Sequence, residues 1–111
     1  MFETLIQKLQ EDRYLTLETT PQHEPSMHNI IEKIKKFKID TKVDGFTCTD
    51  NPLAKLKYSS LFAALKLQQE FKKPVIATVA MRDRNKIALQ SDLLGANDFD
   101  IRAILALTGD P

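Results

Sequence analysis

The amino-acid sequence predicts an α/β fold built from parallel βα units, and three observations predict it. Short β-branched or apolar runs alternate with longer segments whose apolar residues recur at helical spacing. Each strand-like run breaks off into polar, turn-forming residues: Thr19-Thr20-Pro21, Asp50-Asn51-Pro52, Arg82-Asp83 and Thr108-Gly109-Asp110-Pro111. No repeat, linker or low-complexity stretch interrupts the order. Such alternation implies parallel strands, right-handed crossovers and a single rim that collects the strand ends. Two architectures satisfy it: a small open sheet with helices on both faces, or the first four strands of a TIM (β/α)8 barrel, whose closed ring takes about 250 residues. No helical pattern follows the fourth strand, so the expectation is a half-barrel fragment, with residues 1–111 as one domain.

Phe2, Leu5, Ile6 and Leu9 recur at helical spacing and predict a short amphipathic helix that packs through this face. Tyr14 to Thr20 reads as the first strand, rich in β-branched and aromatic residues but carrying one carboxylate, Glu18. Pro21 to Pro25 is a loop. Ser26 is a suitable N-cap for a second helix with Met27, Ile30, Ile31, Ile34 and Phe37 on its inner face. Val43 to Thr49 is the second strand, and Leu53 to Tyr58 reads as loop. A third helix runs from Ser59 to about Phe71, with Leu61, Phe62, Leu65 and Phe71 expected to point inward. Val75 to Ala80, directly after Pro74, is the third strand. A fourth helix is expected from about Arg84 to Asn97, capped by Asp83, with Ile87, Leu94 and Ala88 or Ser91 inward and Gly95 permitting close approach to the sheet. The apolar run Ala103 to Leu107 is the fourth strand.

Length and composition fit one globular domain: 111 residues, 42% hydrophobic and 28% charged. The longest apolar run, Leu61 to Leu65, is too short to span a bilayer. Sixteen basic against fifteen acidic residues leave a net charge of +1, which supplies no field for nucleic acid. Lys33, Lys35, Lys36 and Lys38 interleave with Ile34 and Phe37 and read as the solvated face of a helix. A single cysteine, Cys48, excludes an internal disulfide and suggests a cytoplasmic protein. On its strand it reads as a small buried hydrophobe. His23, Glu24 and His28 match no standard metal-ligand spacing, so no metal is expected.

The strand ends bring Glu18, Thr19, Thr49, Asp50, Arg82, Asp83, Thr108 and Asp110 to one rim, where groups distant in sequence can converge on a pocket. Asp50, Asp83 and Asp110 are also ordinary turn or cap residues. Glu18 stands apart, because a glutamate within a strand should be partly desolvated, which favours the protonated acid. Such a group can donate a proton to a leaving nitrogen.

The segment MRDRNKIALQSDLLGANDFDIRAILALTGDP, taken with TLETTP and FTCTDNP, resembles the methylenetetrahydrofolate reductase family of flavin-dependent TIM barrels. The likeness runs from about Tyr14 to Pro111 and rests on the order and spacing of these pieces. It implies that Glu18 is the general acid that helps open the five-membered ring of methylenetetrahydrofolate, and that Asp110 lies between flavin and folate and helps set the flavin's electronics. It also implies that Thr49 contacts the flavin and that Thr108 and Gly109 form the adjoining loop. Thr78 stands where some members place a flavin-contacting histidine, and Thr108 where some have arginine. Around Glu18 the chain has Thr19, Thr20 and a single Pro21, where the family often carries aromatics and a second proline.

The resemblance therefore implies a flavin-dependent oxidoreductase of one-carbon metabolism and methionine biosynthesis. It would reduce 5,10-methylenetetrahydrofolate to 5-methyltetrahydrofolate with FAD and NAD(P)H. No amino acid supplies a hydride, so the cofactor carries it. The expected partners are a folate substrate and further copies of the chain, without nucleic acid or membrane, and the fragment alone is expected to be inactive. Two other readings fit: a folate-binding methyltransferase barrel, and a non-catalytic half-barrel that pairs with another chain.

Overall fold

In a computed structural model, which describes residues 1–11 and 13–109, four short runs form the strands: β1 (Thr16–Thr19), β2 (Gly45–Cys48), β3 (Val75–Ala80) and β4 (Ala103–Leu107). Helices alternate with them: α1 (Phe2–Gln10), α2 (His28–Lys36), α3 (Ser60–Phe71) and α4 (Lys86–Asp98). A short 3-10 turn at Pro52–Ala54 occupies part of the segment after β2 that the sequence predicted as loop. All strand pairs are parallel and their order in the sheet is β1-β2-β3-β4. Each crossover thus steps to the next strand without reversal. A doubly wound sheet reverses direction, so this order is that of a half TIM barrel.

Side-chain alternation divides the sheet into two different faces. Phe46, Cys48, Val75 and Ala77 join Met27 and Ile34 from around α2, Ala63, Ala64 and Leu67 from α3, and Ala96 and Ile101 from around α4 in one buried cluster. The helices therefore share one side of the sheet. Phe46 is fully buried and its ring centroid lies 5.4 Å from that of Phe71. Burial of a side chain of this size contributes about 1.5–3 kcal/mol. Cys48 is buried in the same cluster, and this burial pushes its thiol up to about 12.

Several expected helix faces differ from those observed. In α3 the buried residues are Ser60, Ala63, Ala64, Leu67 and Gln68, while Phe62 is 64% exposed. Small side chains at i, i+3 and i+4 let the helix lie close to the sheet, and size is a poorer guide to the inner stripe than spacing. In α4 only Ala96 is buried, and Ile87 and Leu94 are exposed, as are Ala88 and Ser91. A Cβ on Gly95 would meet nothing within 4 Å, so no close approach requires that glycine. Asn85 caps α4, its side chain accepting the Ala88 N–H at 2.8 Å, whereas Asp83 pairs with Arg82. Met27 is the N-cap of α2, and Ser26 Oγ accepts the His28 N–H at 3.0 Å. Phe37, Ile6 and Leu9 are exposed.

The amino-terminal helix is tied to the sheet at the end opposite the candidate site. Leu5 is buried, and Lys8 Nζ lies 2.6 Å from Asp44 Oδ1. Asp44 Oδ2 accepts the Leu15 N–H at 2.9 Å. These two contacts, the backbone bond foremost, hold the Asp44 carboxyl below its ordinary pKa.

Candidate ligand site at the strand ends

The sheet face without helices carries Thr16 and Glu18 on β1, Thr47 on β2, Thr78 and Ala80 on β3, and Leu105 and Leu107 on β4. With Thr49, Asp50, Pro52, Arg82, Thr108 and Gly109 from the segments after the strands, they line a cavity of about 570 Å³. Small-molecule sites commonly measure roughly 300–1,000 Å³. Register explains the convergence: Glu18 lies beside Thr47, Thr78 beside Leu105 and Ala80 beside Leu107. Threonines give one wall hydroxyls, and Leu105 and Leu107, both 47% exposed, give the other an apolar surface.

Five of the residues singled out in the sequence, Glu18, Thr49, Thr78, Thr108 and Gly109, share this cavity. The sixth, Asp110, lies outside the described residues. Glu18 is exposed rather than partly desolvated, because the inner face of the sheet is open around it. Among the described residues no hydrogen bond or ion pair engages its carboxylate, including the pairing with Arg82 or a lysine that would make it merely structural.

Thr49 supplies a test of what the cavity accepts. Its N–H donates to the Thr19 carbonyl at 3.1 Å, which fixes it beside the end of β1. Its Oγ1 is buried and has no hydrogen-bond partner among the described residues. A buried hydroxyl left unpaired is costly by about 1–3 kcal/mol, so a ligand with a donor or acceptor at this position gains by completing it. Together with the Thr47 Oγ1–Thr16 Oγ1 bond of 3.1 Å and the leucine wall, this suits a flat ring with an apolar face and a polar edge. The isoalloxazine of a flavin has both, so the residues present fit that cofactor.

Asp50 has a different part from the one its rim position suggests. Its side chain is 2% exposed. Oδ2 accepts the Ala80 N–H at 2.8 Å and pairs with Arg84 Nη1, and Oδ1 accepts from the Asn51 amide at 3.2 Å. Arg84 Nη1 also donates to the Ala80 carbonyl at 2.9 Å. The aspartate thus joins the ends of β2 and β3. The loop that follows is left-handed at Asn51, Leu53 and Ala54, with φ of 40°, 59° and 59°. Asn51 Oδ1 steadies it by accepting the Lys57 N–H at 2.7 Å.

Gly109 has φ of +102°, a conformation that suits glycine. A Cβ there would also lie 2.9 Å from Arg82 Cβ. The sequence marks Arg82 as a strand-end polar residue and as a possible ion-pair partner of Glu18, and does not single out Thr16, Thr47, Leu105 or Leu107. The signal that could have found them is the two-residue alternation of each strand, counted from Glu18. Among the described residues no group of three His, Cys, Asp or Glu side chains is placed to hold a metal ion, and His23, Glu24 and His28 are all exposed.

Parallel βα units in sequential order, with a cavity across the carboxyl ends of the strands, define the barrel class of α/β proteins. The sequence model of one such family, methylenetetrahydrofolate reductase, matches residues 2–111, and the chain belongs to that family. A search of curated proteins gave no match, and neither did a search of solved structures.

Proposed function

We propose that the protein is a flavin-dependent oxidoreductase that reduces 5,10-methylenetetrahydrofolate to 5-methyltetrahydrofolate with NAD(P)H. The family match over residues 2–111 carries this reading. Bound FAD would accept a hydride from the nicotinamide and pass it to the one-carbon bridge. The chain's own residues orient the reactants and handle the proton. Thr49 and Thr78 would hold the flavin from the β2 and β3 ends, and Thr108 and Gly109 from the β4 end, all four being cavity residues. Glu18, in the same wall, would deliver a proton to the folate nitrogen as the ring opens. Asp110 is assigned the neighbouring carboxylate role by the family resemblance alone.

Self-association is part of the proposal, supported by the exposed apolar residues Phe62, Ile87 and Leu94 and by β4, which pairs only with β3 among the described strands. Among the described residues no helix is long and apolar enough to cross a membrane. A reducing compartment such as the cytoplasm suits the free, buried Cys48.

A visible absorption spectrum of the purified protein tests the reading. For the completed barrel, a flavin band that bleaches anaerobically with NADH or NADPH and returns on addition of methylenetetrahydrofolate is the expected result, whereas residues 1–111 alone are expected to show no turnover. A folded protein that takes up no flavin when supplied with FAD would overturn it.

A further inference from the structure

We propose that Ser60 is a positioning residue for the strand-end cavity: it stands in for β2 beside the end of β3 and fixes where Thr78 presents its side chain. This rests on the flavin reading and adds a residue that lies outside the cavity wall. β3 outruns β2. The two strands pair as far as Cys48 and Ala77, whereas β3 continues to Ala80 with β4 as its partner. Alternate residues of β3 bond to opposite neighbours: the Pro74 carbonyl accepts the Phe46 N–H of β2 at 3.1 Å, and the Met81 N–H donates to the Leu107 carbonyl of β4 at 2.9 Å. Counted in twos from Pro74, the backbone groups of Thr78 and Ala80 face the side that β2 has left.

Side chains occupy that side. Ser60 Oγ donates to the Thr78 carbonyl at 2.8 Å, as Asp50 Oδ2 accepts the Ala80 N–H at 2.8 Å. Asp50 thus holds the last residue of the strand, and Ser60 the one that the flavin reading places against the cofactor. Ser60 is fully buried and opens α3 directly after its N-cap, Ser59, so its hydroxyl docks the start of the helix onto the strand. Thr78, 6% exposed, lines the cavity on the other face of the sheet. The Thr78–Val79 peptide is held by the β4 ladder on one edge and by Ser60 on the other. Without the hydroxyl a buried carbonyl is left unpaired, and the peptide must shift to find another donor.

The test sets Ser60→Ala beside Ile34→Val, a core substitution on α2 that destabilises without touching β3 or the cavity. Two readouts separate positioning from stability: the NMR resonance of the Thr78 methyl in the flavin-free protein, and FAD affinity measured by flavin fluorescence. Ser60→Ala should move the Thr78 resonance and weaken FAD by about tenfold, whereas Ile34→Val should lower the urea midpoint and leave both readouts as in wild type. Ser60→Cys, which keeps a weaker donor, should lose less FAD affinity, and it decides by the same comparison if Ser60→Ala does not fold. An unmoved Thr78 resonance, wild-type FAD affinity in Ser60→Ala, or an equal loss in Ile34→Val would overturn the positioning role while leaving the flavin reading intact. Wild-type protein that binds no FAD overturns the flavin reading and this assignment with it.

Discussion

The Asp50 carboxylate, on the segment after β2, accepts the backbone N–H of Ala80, the last residue of β3, at 2.8 Å. A side chain here does what the β2–β3 ladder has stopped doing, and Arg84 neutralises it. Asp50→Ala would strand a largely buried guanidinium and an amide. The expected loss is about 3 kcal/mol, read as a lower urea midpoint. Asp50→Ala with Arg84→Met should be less destabilised than Asp50→Ala alone, because the one carboxylate then left without its arginine, Asp92, is 49% exposed. A double variant as unstable as the sum of the single ones would show that the two residues act independently.

Two glycines should respond in opposite ways to the same substitution. A Cβ on Gly45 would sit 2.3 Å from Tyr14 Oη and 2.4 Å from the Pro74 carbonyl, so Gly45→Ala should cost about 1–3 kcal/mol. Gly95 is inside α4 and has open space, and Gly95→Ala should stabilise by about 0.5–1 kcal/mol through helix propensity. Thermal melts of both variants check the pair.

Glu18→Gln separates the two halves of the proposed reaction. Flavin reduction by nicotinamide should persist, and folate reduction should fall by about 100-fold or more, the usual contribution of a positioned general acid. Rapid-mixing measurement of each half-reaction decides; equal loss in both would assign Glu18 to structure instead.

Strand positions were legible in the sequence because β-branched runs and their polar ends are local signals: β3 and β4 were predicted with the bounds observed, and β1 and β2 only too long. The helix faces were less legible. Ala63 and Ala64 carry little hydrophobic weight, yet they face the sheet, and Phe62, which carries much, does not. Which stripe turns inward depends on how near a helix must come to its sheet, and that is settled in three dimensions. Glu18 stood out by residue type within its strand, and Thr49 was a strand-end polar residue to which the family resemblance gave a role. The ties of Asp50 to Ala80 and Arg84, and the packing of Gly109 on Arg82, cross between strands and leave no local mark.

Alkaline pH should unfold the protein through Cys48. Its thiol is raised from 9.0 to about 12 by burial, so the folded chain keeps a proton that the unfolded chain releases. This contribution is whole below about pH 9 and is lost between about pH 9 and 12, at about 1.4 kcal/mol per pH unit while it lasts. Tyr14, raised from 10.0 to about 12 by burial and then by Asp44, works in the same direction. Urea midpoints measured across this range should fall more steeply for wild type than for Cys48→Ala, and parallel slopes would contradict the assignment.

The division of the sheet into a helix-packed face and a cavity face sets neighbouring strand residues to unrelated tasks. Cys48 belongs to the same buried cluster as Phe46 and Leu67, while Thr47 and Thr49, one peptide away on either side, line the cavity. Systematic substitution along β2 should therefore yield a record with a period of two: every second position governs how much folded protein there is, and the positions between govern what that protein holds.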